Sequence, residues 1–160
     1  MVEIPVKDVF VQVDDDVADK VREFNLVYFD GYVHILLAKR RMQALHRWVM
    51  DAKPGLLVDH IDRNPLNCTR ENLRFATHSQ NSINRVKNVP KTSQYRGVFK
   101  KTQIVHKKRR YVYTYWWAKV KVDGKVVYRK AFKSELEAAH AYDAQAKIHH
   151  GEFAVLNFPD

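Results

Sequence analysis

Residues 54–84 carry the punctuation that most restricts how this chain folds. Pro54-Gly55 is a turn signal, and the short run LLVDHI after it, Leu56 to Ile61, reads as a strand. Asn64-Pro65 breaks that run and opens a loop, and Leu73-Arg74-Phe75-Ala76-Thr77 resumes as a second strand. Thr77 and Gln80 have the spacing of a capping box, which starts a helix at His78. The order is strand, loop, strand, helix. Asp59 and His60 fall on the first strand, Asn72 at the entry to the second, and Asn81 in the first turns of the helix.

The stretch resembles the HNH nuclease family, and most of all the branch found in phage and intron-encoded homing endonucleases, where asparagine replaces the final histidine. The likeness is carried by VDHID, by ENLR around Asn72, and by THSQN ending at Asn81. It implies a ββα-metal fold and metal-dependent hydrolysis of a DNA phosphodiester. It also implies roles: His60 as general base, Asn72 as the group orienting its ring, Asp59 and Asn81 as ligands of a divalent metal.

The residue types suit that chemistry. Phosphodiester hydrolysis needs a water deprotonated in line with the leaving oxygen and a cation on the crowded phosphate charge. An imidazole with an ordinary pKa of about 6.5 is largely neutral at physiological pH and can take the proton. A side-chain carbonyl on its other nitrogen fixes which nitrogen faces the water, and Asn72 is a suitable orienter. One carboxylate and one amide oxygen make a sparse, hard set. It favours Mg²⁺ or Mn²⁺ completed by water and substrate phosphate. Successive strand residues point to opposite faces, so Asp59 and His60 need a twist, a bulge, or approaches to the phosphate from different sides. Taken singly, Asn72 and Asn81 are more often turn or cap residues, His78 an ordinary first-turn residue, and Asp62 a turn former.

Charge divides the chain unevenly. Residues 1–88 hold 13 basic and 12 acidic side chains, whereas residues 89–160 hold 15 and 6, so nearly all of the net +10 lies in the second part. Such an excess points to an anionic partner. The single cysteine, Cys68, excludes an internal disulfide and paired-cysteine zinc knuckles, and reads as a small loop residue with a free thiol. No apolar run has membrane length and no basic-then-apolar leader is visible, so the expected location is intracellular, cytoplasmic or associated with a nucleoid or phage genome.

Before the motif, VFVQV alternates as a strand. Asp14-Asp15-Asp16 precedes a short helix with Val17, Val21 and Phe24 on one side, where three acids compensate the helix dipole. Asp30-Gly31 supplies a primed hairpin turn. Lys39, Arg40 and Arg41 touch phosphate or form a solvated face, and QALHRWVMDA reads as a helix with Leu45, Trp48 and Val49 inward. His46 matches a histidine often found upstream of the motif in this HNH branch, and reads as buried and hydrogen-bonded.

The polar stretch KNVPKTSQ, residues 87–94, sits where the charge changes, and residues 89–94 are taken as a linker. From Tyr95, alternating blocks with a turn at Asp123-Gly124 give three antiparallel strands. Ser134 and Glu137 then cap a helix presenting Leu136, Ala139, Tyr142 and Ala146, which Gly151 closes. This part looks like the plant ethylene-response-factor (Apetala-two) DNA-binding domain, from Tyr95 to Pro159, through YRGV, WWAKV, EAAHAYD and AVLNFP. Between Lys101 and Tyr115 it departs, with HKKRRY where the plant domains have a short turn. The resemblance implies Arg96, Lys100, Trp116, Lys119, Lys121 and Arg129 as DNA contacts. Of the adjacent Trp116 and Trp117, one faces the helix and the other DNA, and Trp116 is expected outward. Lys107, Lys108, Arg109 and Arg110 are available to phosphates without reading sequence.

The expectation is an α+β protein. An HNH nuclease domain with its lead-in (1–88) is followed by a linker (89–94) and an ethylene-response-factor-like DNA-binding domain (95–160). The function is that of a site-specific, metal-dependent, homing-type endonuclease that nicks or cuts double-stranded DNA. It acts as a monomer or homodimer, with no membrane and no evident protein partner. The alternatives are a sequence-specific DNA-binding regulator with a vestigial nuclease core, and a basic RNA-binding protein.

Overall fold

Alternating valines build the first hairpin: β1 (Val2–Val6) and β2 (Val9–Val13) pair antiparallel, with Lys7 at φ 54° in the turn. The structure, a computed structural model, describes residues 1–37, 41–85, 92–106 and 110–159. Helix α1 (Asp15–Val21) follows, burying Val17, Ala18 and Val21, with Phe24 packed beside them. Strands β3 (Leu26–Phe29) and β4 (Tyr32–Leu37) form the hairpin expected around Asp30-Gly31, both at positive φ as a primed turn requires.

Next comes a departure from the sequence reading. Arg41–Ala44 is a third strand, β5, paired with β4, and helix α2 covers only Leu45–Val49. The helical pattern from Gln43 lost to the free edge of β4, whose backbone groups need partners. Leu45 is fully buried, and Trp48 and Val49 pack against the core as expected. Lys39 and Arg40 lie outside the described residues; Arg41 is exposed.

The predicted strand–loop–strand–helix order is present. Strand β6 (Leu57–His60) pairs with β7 (Leu73–Ala76), and helix α3 (His78–Asn84) follows. The capping box is reciprocal: the Thr77 N–H donates to Gln80 Oε1 at 2.8 Å and the Gln80 N–H to Thr77 Oγ1 at 3.2 Å.

The chain divides into two compact units, Met1–Asn81 and Ser82–Asp160. Of the proposed linker, residues 89–91 lie outside the described residues. In the second unit, β8 (Val98–His106), β9 (Arg110–Val122) and β10 (Lys125–Phe132) form an antiparallel sheet in the order β10-β9-β8. Helix α4 (Glu135–His150) packs on it through Ala138, Ala139, Tyr142 and Ala146, against Val98, Ala118 and Val120. Leu136, expected on the buried face, is exposed; the face turns towards Ala138 and the carboxylate of Asp143. Asp143 accepts from the Asn157 and Phe158 N–H groups and from Asn157 Nδ2, at 2.9–3.0 Å, and so ties the closing segment down. Among the described residues the fold is thus mixed, with small antiparallel sheets and few helices, none long and apolar enough to cross a membrane.

Candidate active site

The ladder between β6 and β7 runs without a bulge: Asp59 stands opposite Arg74, and His60 opposite Leu73. Paired residues share a face, so Asp59 and Arg74 point to one side of the ribbon and His60 to the other. Both members of the expected pair are buried, Asp59 at 5% and His60 at 8% exposure.

On the Asp59 side, Arg74 is the residue the sequence reading missed. Its Nε and Nη2 donate to Asp59 Oδ2 at 3.0 and 2.9 Å, a bidentate arrangement on one oxygen with both side chains largely out of water. The register of two short strands held the signal, because opposite charges directly across an antiparallel pair attract.

On the His60 side, Cys68, His46 and Tyr32 are among the groups near the ring. Cys68 Sγ lies 3.9 Å from Nε2, the His46 ring is 4.9 Å away edge-on, and the Tyr32 ring is 6.2 Å away. Burial lowers the pKa of His60, opposed by the nearby Asp62 and Asp59 carboxylates. The imidazole is therefore neutral at pH 7. The His46 pKa is lowered to about 4, by burial first and then by His60. His46 is packed against the rings of His60 and Tyr32 rather than standing apart from the motif. Cys68, read from sequence as a loop residue, is a core residue with 1% exposure, and burial pushes its thiol up to about 12.

Asn72 spends its amide on the loop. Its Nδ2 donates to Asp62 Oδ1 (2.9 Å) and to the Asn67 carbonyl (2.8 Å), and its Oδ1 accepts from the Asp62 N–H (3.0 Å). These bonds fix residues 61–67 behind His60; they run to the loop and not to the ring. Asp62 does form the expected turn, accepting from the Asn64 N–H at 2.8 Å. Asn81 is half-buried in the first turns of α3, with its N–H donating to the Thr77 carbonyl. His78 opens that helix, exposed.

The loop is anchored from the N-terminal hairpin. The Gln12 N–H donates to the Leu66 carbonyl and the Cys68 N–H to the Gln12 carbonyl, each at 2.8 Å. Arg70 grips the start of α1: Nη1 and Nη2 donate to Asp16 at 2.7 and 2.8 Å, and its N–H donates to Asp14 at 3.0 Å. The hydrogen bond from Arg70 draws the Asp16 carboxyl down to about 2. The acidic run thus serves as a clamp on the segment leading to Asn72, in addition to facing a helix N-terminus.

Asp59, His60, Asn72, Arg74 and Asn81 lie within a stretch that known proteins share. Residues 43–83 match the family model described as HNH endonuclease. Residues 43–83 thus resemble an HNH endonuclease domain. An uncharacterized HNH endonuclease of Acanthamoeba polyphaga mimivirus is 36% identical over 102 residues, 64% of this chain and 47% of that protein. The chain therefore spans about half the length of the curated relative it matches. No solved structure matches.

In the second unit the sheet corrects the expected DNA-facing set. Trp116 packs against the core under α4, and its neighbour Trp117 takes the opposite face. There Trp117 stacks on Phe99 (6.5 Å between ring centroids, 13° between planes) and carries Arg129 at 5.4 Å. Lys119 lies 5.0 Å from the Phe99 ring, and Lys121 is exposed on the same face by alternation. The register decides the choice, because Trp116 is two residues from buried Ala118. Lys100 alternates onto the α4 side and reaches over Trp116 at 5.7 Å. Arg96 donates to the Ile83 and Arg85 carbonyls, while its own N–H donates to Asn157 Oδ1. Of the six expected contacts, Lys119, Lys121 and Arg129 share the face away from the helix. Lys107, Lys108 and Arg109 lie outside the described residues.

Proposed function

We propose that the chain is a metal-dependent DNA endonuclease of the homing type, with residues 1–88 cleaving and residues 95–160 holding the duplex. The observation that carries this reading is the burial of a neutral His60 on the strand that also bears Asp59, inside the stretch matched to HNH endonucleases. His60 takes the proton of the attacking water. Desolvation keeps its ring unprotonated, while Tyr32, His46 and Cys68 restrict its motion. Asn72 positions His60 through the backbone, since its amide fixes the loop that leaves β6.

The donor chemistry at Asp59 and Asn81 fits a hard divalent cation, Mg²⁺ or Mn²⁺. Among the described residues no cluster of three or more His, Cys, Asp or Glu groups could hold a metal ion by itself, so an ion here would need water and phosphate as further ligands. Bound there, the cation supplies Lewis acidity and stabilises the leaving oxygen. Arg74 already neutralises Asp59, so it must share or release that carboxylate.

The sheet face bearing Trp117, Lys119, Lys121 and Arg129 is cationic, and a ribbon of antiparallel strands fits the major groove of duplex DNA. Joining two weakly binding parts raises the effective concentration of each at one locus. A single HNH core acts on one strand, so the product is a nick for a monomer.

Relaxation of supercoiled plasmid in Mg²⁺ tests the reading. His60→Ala should slow nicking at least about a hundredfold, and a chelator should abolish it. Nicking at the wild-type rate by His60→Ala would end this assignment. The ion pair between Arg74 and buried Asp59 favours the rival reading, a DNA-binding regulator with a vestigial core. A wild-type protein that binds duplex yet leaves plasmid intact in Mg²⁺ and Mn²⁺ decides for that rival.

A further inference from the structure

Strands β8 and β9 outrun their sheet. The β10 partners on β9 end at Trp116, whereas β8 continues to pair with β9 from Lys101–Tyr115 through Gln103–Tyr113 and beyond. Among the described residues the extension is a two-stranded ribbon. The residues on one face of β9 are Tyr111, Tyr113 and Tyr115, followed on that same face by Trp117, Lys119 and Lys121. Their cross-strand neighbours on this face are Lys101 and Gln103.

The three tyrosine rings stand in file. Centroids are 6.3 Å apart from Tyr111 to Tyr113, with planes 23° from parallel, and 6.5 Å apart from Tyr113 to Tyr115, with planes at 17°. Tyr111 and Tyr113 are each 45% exposed, a large aromatic surface to leave in water. The near-parallel rings lie within the ordinary range of aromatic contact, about 4.5–7 Å between centroids, and hold one another in file.

We propose that Tyr111, Tyr113 and Tyr115 form a stacking ladder for the unpaired bases of a DNA strand. Charge selects the class of occupant: residues 89–160 carry 15 basic and 6 acidic side chains, so a second copy of this chain is repelled and a polyanion attracted. The rings select its form, because bases inside a duplex are already stacked and only unpaired ones offer free faces. DNA is chosen over RNA on the strength of the nuclease reading above, on which this assignment rests. The ladder continues the cationic face, so a strand seated on the tyrosines meets Lys101 and then Lys119 and Lys121 along its phosphates.

Fluorescence anisotropy on the full chain tests this with three labelled probes: a thymidine oligomer, a uridine oligomer of equal length, and a duplex. Replacing all three tyrosines by alanine should weaken thymidine-oligomer binding at least about thirtyfold, while replacing them by phenylalanine should change it less than about threefold. Duplex binding should move less than about threefold in both. If the alanine triple variant fails to fold by circular dichroism, Tyr113→Ala alone must still cost about fivefold or more. The ladder is overturned by unchanged thymidine binding in the alanine variants, by equal loss on the duplex, or by a phenylalanine variant as weak as alanine. Tighter binding of uridine, lost in the same way, overturns the choice of DNA. A wild type that binds duplex but neither oligomer removes the ladder and spares the nuclease reading; one that binds none of the three removes both.

Discussion

Arg74 and Asp59 face each other across the β6–β7 ribbon, with Nη2 and Oδ2 2.9 Å apart and both side chains nearly excluded from solvent. The pair sits one residue from His60, so its integrity governs the strand that bears the proposed base.

Removing one partner leaves the other charge buried. Arg74→Met should lower unfolding free energy by about 3–5 kcal/mol in urea titrations at pH 7. The double variant Asp59→Asn, Arg74→Met should lose clearly less than the two single losses added together. Strict additivity would mean the pair is not coupled.

His46 makes stability depend on pH. Its folded pKa, about 4, is below the ordinary 6.5, so between these values the unfolded chain binds more protons. Stability is fully present above pH 6.5 and is lost as pH falls towards 4, by no more than about 3 kcal/mol from this residue. His60 is shifted in the same direction. Urea midpoints at pH 7.5 and 5 should differ less in His46→Gln than in wild type.

Asn72→Asp exchanges a donor for an acceptor against Asp62 Oδ1, now 2.9 Å away. Two carboxylates then crowd one loop. At pH 7 this variant should be less stable than Asn72→Ala, and the order should narrow as the carboxylates protonate near pH 4. Thermal unfolding at the two pH values reads the difference.

Gly97 lies against Tyr142, and a Cβ built on it would fall 2.0 Å from the ring, at a φ of +72°. Gly97→Ala should destabilise the second unit by about 2–3 kcal/mol, through overpacking and backbone strain together. The loss of near-ultraviolet dichroism on heating should come correspondingly earlier.

Binding to duplex DNA should be steeply salt-dependent. If about six cations meet phosphates, affinity falls roughly a thousandfold between 50 and 200 mM salt. A shallow slope would mean that the cationic face of the second unit does not lie along the backbone.

The sequence by itself determined the local elements around the motif and the layout of the second part. Turn signals at Asp30-Gly31 and Asp123-Gly124, the box at Thr77 and Gln80, and the cap at Ser134 act over a few residues, so the chain order alone reveals them. What tertiary structure decided were the relations between distant residues. It gave Asp59 to Arg74, brought His46 and Cys68 to His60, set Asp14 and Asp16 on Arg70, and turned Trp117 outward in place of Trp116. Pairing register and the burial of one sheet face fix these outcomes. Both depend on which strands meet, and that is settled only when residues far apart in the chain compete for the same hydrogen-bonding edges and the same dry interior.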